Sequence, residues 1–114
     1  MATRFHLSLP DPARARGSDP AFAFDAHGAE EFARQLEDAL RHGTLFERWR
    51  AAQEDPDAVD AALGATDPAA RVEGRQDDLH IDLVTVTTLP GSILRHRLAL
   101  LAGSAWELRD VSAA

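Results

Sequence analysis

The chain has no cysteine, lysine, tyrosine or asparagine. Without Cys there are no disulfides, no thiol nucleophile and no Cys-ligated zinc, and a reducing compartment suits such a chain, so a cytoplasmic location is expected. Without Lys, every one of the 12 cations is Arg, set against 19 carboxylates for a formal net charge of −7. An acidic domain repels phosphate backbones, so nucleic acid is not an expected partner. Nor is a membrane: there is no Arg-rich amphipathic helix for an anionic surface and no apolar run near the ~20 residues of a bilayer span. Met1 to His6 lacks the apolar core of a secretory signal. The joint absence of Lys, Asn and Tyr beside abundant Ala and Arg looks like a codon-composition bias and carries no mechanism. Also missing are a Gly-rich phosphate loop, a G-x-S-x-G elbow and an H-E-x-x-H helix, so no cofactor is expected.

What is present suits one α+β domain over residues 1–114. The 45% hydrophobic content is that of a globular protein, and a chain of this size hides roughly 65% of its unfolded-chain surface on folding. Arg4 to Leu9 alternates, with Phe5, Leu7 and Leu9 on one side, which predicts a half-buried strand. Pro10 to Pro20 reads as a loop and as the segment expected to be most mobile. Ala21 to Phe24 predicts a short second strand. Ala29 to His42 sets Phe32, Ala33, Leu36, Ala39 and Leu40 on one helical stripe, with Glu30 and Glu31 near the positive end, Arg41 near the negative end, and Gly43 as terminator. Thr44 to Glu47 has a capping-box pattern and opens a second helix through Gln53. Asp55-Pro56 predicts a third, short helix to Leu63. Arg71 to Arg75 can add a strand before the turn Gln76-Asp77-Asp78.

Leu79 to Val111 reads as a meander of three antiparallel strands, Leu79–Thr88, Ile93–Ala102 and Ala105–Val111, turning at Leu89–Ser92 and Ala102–Ser104. The expected fold is therefore an α+β antiparallel sheet of about five strands ending in this meander, with two or three helices packed on one face. Register divides the meander into two faces. One carries Ile81, Leu83, Leu98, Leu100 and Trp106 and sets His96 between Thr85 and Asp110. The other carries Val84, Val86, Ile93, Arg95, Arg97, Leu101 and Arg109, too apolar for a wet face and too charged for a core, a mixture typical of protein interfaces. His80-x-Asp82 puts two metal-ligand types on one strand face, but pairs at this spacing are common by chance and His6, His27 and His42 stand in no regular relation to it, so no metal is expected.

The leading expectation for function is a non-enzymatic protein that binds another protein, most simply as a homodimer through the Val/Ile/Arg face. The alternative is a small enzyme or ligand-binding protein whose pocket lies between the first helix and the sheet, with His96, Asp110 and Thr85 as the catalytic candidates at its polar end.

Overall fold

The computed structural model describes residues 1–114 and is α+β: a four-stranded antiparallel sheet and three α-helices. Strand β1 (Thr3–Leu9) has the expected alternation, burying Phe5, Leu7 and Leu9 on one face. It lies in the middle of the sheet. On one side it pairs with β3 (His80–Thr87), from Thr3 opposite Thr87 to Leu9 opposite Ile81. On the other it pairs with β4 (Glu107–Ala113), with an irregularity between His6 and Leu7. Strand β2 (Arg71–Asp77) pairs with the outer edge of β3, giving the order β2-β3-β1-β4 with every neighbour antiparallel. Strands β1 and β2 run parallel with β3 between them, and β3 and β4 run parallel with β1 between them. These two interleaved β-α-β units are the ferredoxin-like plan.

The sheet thus has four strands, and the C-terminal meander does not form. Its expected middle strand is helix α3 (Gly91–Ala102). The buried residues of α3 are Ile93, Leu94, Arg97, Leu98, Leu101 and Ala102, pairs recurring every fourth position, which is a helical period. Leu94, Leu98 and Leu100 also alternate, and that imitates a strand. The composition decides for helix: Leu, Arg and Ala lose little side-chain freedom there, and Ile93 is the only β-branched residue. Pro90 starts the helix, its carbonyl accepting from the N–H groups of Ile93 and Leu94 at 3.0 and 3.2 Å. Gly103 ends it at a φ of 64°, in the left-handed region that glycine enters without steric cost.

Helix α1 (Ala29–Arg41) buries the stripe read from the sequence, and α2 (Thr44–Ala51) buries Phe46. Two other elements differ. Ala21 to Phe24 is a turn, not a strand: Phe22 and Phe24 are buried, Phe24 meets Phe32 edge-on with centroids 5.0 Å apart, and its N–H donates to the Leu101 carbonyl at 2.8 Å. Its backbone is thus satisfied by the end of a helix instead of a sheet. Pro56 to Leu63 is two 3₁₀ turns, Pro56–Ala58 and Ala61–Gly64, separated by Val59 in extended conformation. A stretch that short needs a packed face to stay helical, and only Leu63 reaches the core. Within the loop Pro10 to Pro20, Gly17 N–H donates to the Leu101 carbonyl at 3.0 Å, and the Arg16 guanidinium lies 5.3 Å from the Phe32 ring centroid. No helix is long and apolar enough to cross a membrane.

Helices α1 and α3 lie on the same side of the sheet, so alternation along each strand sorts side chains into a covered and an open face. On β3, Ile81, Leu83, Thr85 and Thr87 are buried, while His80, Asp82, Val84 and Val86 are half-buried on the open side. Two contacts fix the covering layer. A Cβ on Gly74 would overlap the Ala29 carbonyl, so the absence of a side chain there lets α1 approach β2. Asp67, buried in the loop before β2, accepts from the Thr87 hydroxyl at 2.8 Å and from the N–H groups of Thr88 and Ala69 at 2.9 and 3.0 Å, while its own N–H donates to the Leu40 carbonyl. That one residue joins the end of α1, the loop and the end of β3.

Gly74→Ala is expected to cost about 1–3 kcal/mol in urea unfolding, the usual range for overpacking, whereas Gly43→Ala, with nothing within 4 Å of the added Cβ, changes stability by less than about 1 kcal/mol. For Asp67, hydrogen bonding led by the Thr88 N–H holds the carboxyl below its ordinary value of 3.8 and outweighs burial. A lowered folded-state pKa means the unfolded chain binds the proton more tightly, so stability from this group is full above pH 3.8 and is lost as pH falls below it. Asp67→Asn should therefore cost about 1–3 kcal/mol at pH 7, with the gap to the unaltered protein narrowing below pH 3.8 in thermal or urea melts.

Candidate functional site

No helix covers the open face of the sheet. The alternation that buries Phe5 and Leu7 turns His6 outward from β1. The same period turns Glu73, Arg75 and Asp77 outward from β2, and His80, Asp82 and Val84 from β3. With Arg109 and Asp110 of β4, these side chains line a groove of about 710 Å³ in which only Leu7 and Val84 are apolar. Its chemistry is carboxylate, imidazole and guanidinium. At one end the β2–β3 hairpin turns through Asp78 and Leu79, with Asp78 at a φ of 56°, a conformation that Asp tolerates better than most residues. The Gln76 amide braces this turn, donating to the Asp78 and His80 carbonyls at 2.9 and 3.1 Å. There His80 Nε2 lies 3.3 Å from Asp82 Oδ1 and 3.8 Å from Asp77 Oδ2.

A second feature lies on the edge strand β4. Apart from Met1 and the hairpin-tip Leu79, the only large hydrophobic residues strongly exposed are Leu108, at 37%, and Val111, at 48%. Strict alternation would put these two on opposite faces. The bulge in the β1–β4 ladder leaves Arg109 without a partner of its own, so Leu108 sits opposite Leu7 and Val111 opposite Phe5. Both therefore lie on the helix side of the sheet, beside Trp106 and Leu94 in a small apolar cleft. Arg109 reaches Glu107, Nη1 donating to Oε2 at 3.1 Å.

The residues singled out from the sequence are distributed differently from the expectation. Ile93, Arg97 and Leu101 are on the buried side of α3 and Arg95 on its exposed side. Val84 and Val86 are on the open sheet face, and Arg109 is at the β4 bulge. These seven share no surface, because the segment supplying four of them is a helix. Thr85, His96 and Asp110 are likewise apart. Thr85 is buried on the covered face of β3, with Phe5 and Val72 as its cross-strand neighbours. Asp110 is exposed and its cross-strand partner is His6. His96 projects from α3 toward α2, its ring 4.6 Å from that of Trp49 and 6.2 Å from that of Phe46. No pocket around His96 and Asp110 forms. Sequence reading missed the joining of His6 and Asp110 across the sheet, since pairing order leaves no local signal. It did pick out His80 and Asp82, and missed Asp77, which the hairpin register sets opposite His80.

Beside His96 the helix carries an unusual group. Arg97 is fully buried with no carboxylate partner. Its Nη2 donates to the Ala65 carbonyl at 2.8 Å, its guanidinium lies 5.8 Å from the Phe46 centroid, and Nε and Nη1 find no protein acceptor. Burial lowers its pKa. Burial first, and then the charge of Arg97, lower that of His96.

No family model, curated protein or solved structure matches the chain. A ferredoxin-like plan hosts many unrelated activities and does not by itself specify one.

For His96 the sign of the shift gives a pH dependence. The folded state favours the neutral imidazole more than the unfolded chain does, so stability falls as pH drops from 6.5 toward the lower folded-state value. Melting midpoints should decline over that interval, and His96→Gln should flatten the decline. A His96→Gln profile parallel to that of the unaltered protein would remove this assignment.

Proposed function

We propose that the protein is a non-enzymatic, cytoplasmic binding domain that works by protein–protein contact and associates with a second copy of itself through β4. The observation that carries this reading is the coincidence of an unpaired strand edge with the exposed pair Leu108 and Val111. A free edge presents unpaired N–H and C=O groups and invites another strand. In an antiparallel two-fold pairing centred between Arg109 and Asp110, Leu108 faces Val111 and Arg109 faces Asp110, each pair occurring twice. The apolar pairs then lie on the helix side and the charge pairs on the open side, as the bulge places those residues in the free chain. Like charges directly opposite would destabilise such a ladder and opposite charges support it. The bulge also bends the edge and shortens the ladder it can form, so the contact is small and its affinity modest, on the order of micromolar or weaker for an interface below about 1,200 Å². The lack of Cys supports the cytoplasmic assignment.

Sedimentation or light scattering across a concentration series should show a reversible monomer–dimer equilibrium. Leu108→Arg and Val111→Arg should each leave a monomer, while Val86→Arg, on the open sheet face, should leave the equilibrium unchanged. Arg109→Asp should weaken the dimer roughly tenfold, and adding Asp110→Arg should restore it. A monomer at every concentration, or a dimer broken only by Val86→Arg, would overturn the β4 contact.

A further inference from the structure

We propose that Asp77, His80 and Asp82 form a site for a divalent transition-metal ion at the closed end of the sheet groove. The backbone puts the three side chains together before any ion is considered. His80 and Asp82 are two apart on β3 and share its open face. Asp77 is the cross-strand partner of His80 and shares that face by register. One ligand atom from each residue lies within 4.8 Å of the other two, and His80 Nε2 is 3.3 and 3.8 Å from its two carboxylate neighbours. An ion bound at about 2.1 Å by nitrogen and oxygen needs ligand atoms about 3.0 Å apart in an octahedron or about 3.4 Å apart in a tetrahedron. The His80–Asp82 pair already has that spacing, and the remaining adjustment is a side-chain rotation at half-buried or exposed positions.

The hairpin that supplies the ligands is braced apart from them. Gln76 holds the Asp78 and His80 carbonyls, so the backbone of His80 is fixed without using a ligand atom. Arg75 is the cross-strand partner of Asp82, yet it forms no ion pair with it, leaving that carboxylate to the imidazole. The donor set names the class of ion. One imidazole and two carboxylates suit Zn²⁺, Ni²⁺, Co²⁺ or Mn²⁺, while Mg²⁺ prefers an all-oxygen octahedron and keeps its waters. Three protein ligands leave one position open in a tetrahedron and three in an octahedron, and these face the groove. The three ligands come from β2 and β3 on the open face of the sheet, whereas Leu108 and Val111 lie on its helix side.

The test uses tag-free, chelator-stripped full-length protein titrated calorimetrically at pH 7.5 with ZnCl₂, NiCl₂ and MgCl₂. Zn²⁺ and Ni²⁺ should each bind with one ion per chain and a dissociation constant in the micromolar range, and Mg²⁺ at least a hundredfold more weakly. His80→Asn, Asp77→Asn and Asp82→Asn should each weaken Zn²⁺ binding tenfold or more. His42→Gln, on the helix side of the molecule, should leave it unchanged. Ring resonances of His80 should shift on adding Zn²⁺ while those of His42 stay in place, a readout that needs no variant to fold. Absence of saturable Zn²⁺ and Ni²⁺ binding, or binding that survives both His80→Asn and Asp82→Asn, would overturn the site.

Discussion

The structure depends on β1 being hydrogen-bonded on both sides. Its seven residues are met by β3, almost eighty positions later in the chain, and six of them also by β4, about a hundred positions later. Neither partner can dock until the intervening helices have returned the chain to the sheet, so this pairing is paid for with long loop closures. Once β1 is in place, much of the remaining geometry follows. Phe5, Leu7 and Leu9 set the covered face, α1 and α3 must lie over it, and β2 and β4 become the two edges. The centrality of β1 also brings His6 beside Asp110.

Because α1 and α3 are both on one side, the sheet has two unlike surfaces. The covered one holds a core cluster of 21 buried residues. Polar groups within that layer are of two kinds. Asp67 is satisfied by hydroxyl and amide donors and acts as a tie between α1 and β3. Arg97 is charged, buried and satisfied by protein at only one nitrogen, an arrangement that costs stability compared with an apolar residue of the same volume. Its aliphatic stem belongs to the helical stripe of α3, and that position explains its burial. The open surface is mainly polar, with side chains from four strands meeting in one groove. A core needs apolar residues on one sheet face only; charge gathers on the other because nothing covers it.

The sequence was most legible where one period was strong and local. β1 and α1 were readable from Phe5-Leu7-Leu9 and from Phe32-Leu36-Leu40, because each repeats cleanly over its whole length. The segment 93–102 was not, because Leu94, Leu98 and Leu100 satisfy a period of two while Ile93, Leu94, Arg97, Leu98 and Leu101 satisfy a helical one. Taking the first pattern made a strand of a helix and drew His96, Arg97 and Leu101 onto surfaces where they do not lie. The Phe22–Phe24 pair misled in the same way: two aromatics on alternate residues resemble a strand, yet their burial comes from a turn packed on α1 and α3.

What the sequence determined by itself is local: which residues repeat with which period, where Pro90, Gly43 and Gly103 end or begin elements, and that the chain is acidic and free of thiols. Those properties need only neighbours in the chain. The tertiary structure alone decided which strand sits in the centre, that β4 is an edge with Leu108 and Val111 exposed on the same side, and that Asp77 joins His80 and Asp82. Each of these depends on pairing between residues on separate strands, and in β4 also on a single-residue bulge. A one-residue shift in register reverses every side chain on a strand, so composition and period cannot supply it.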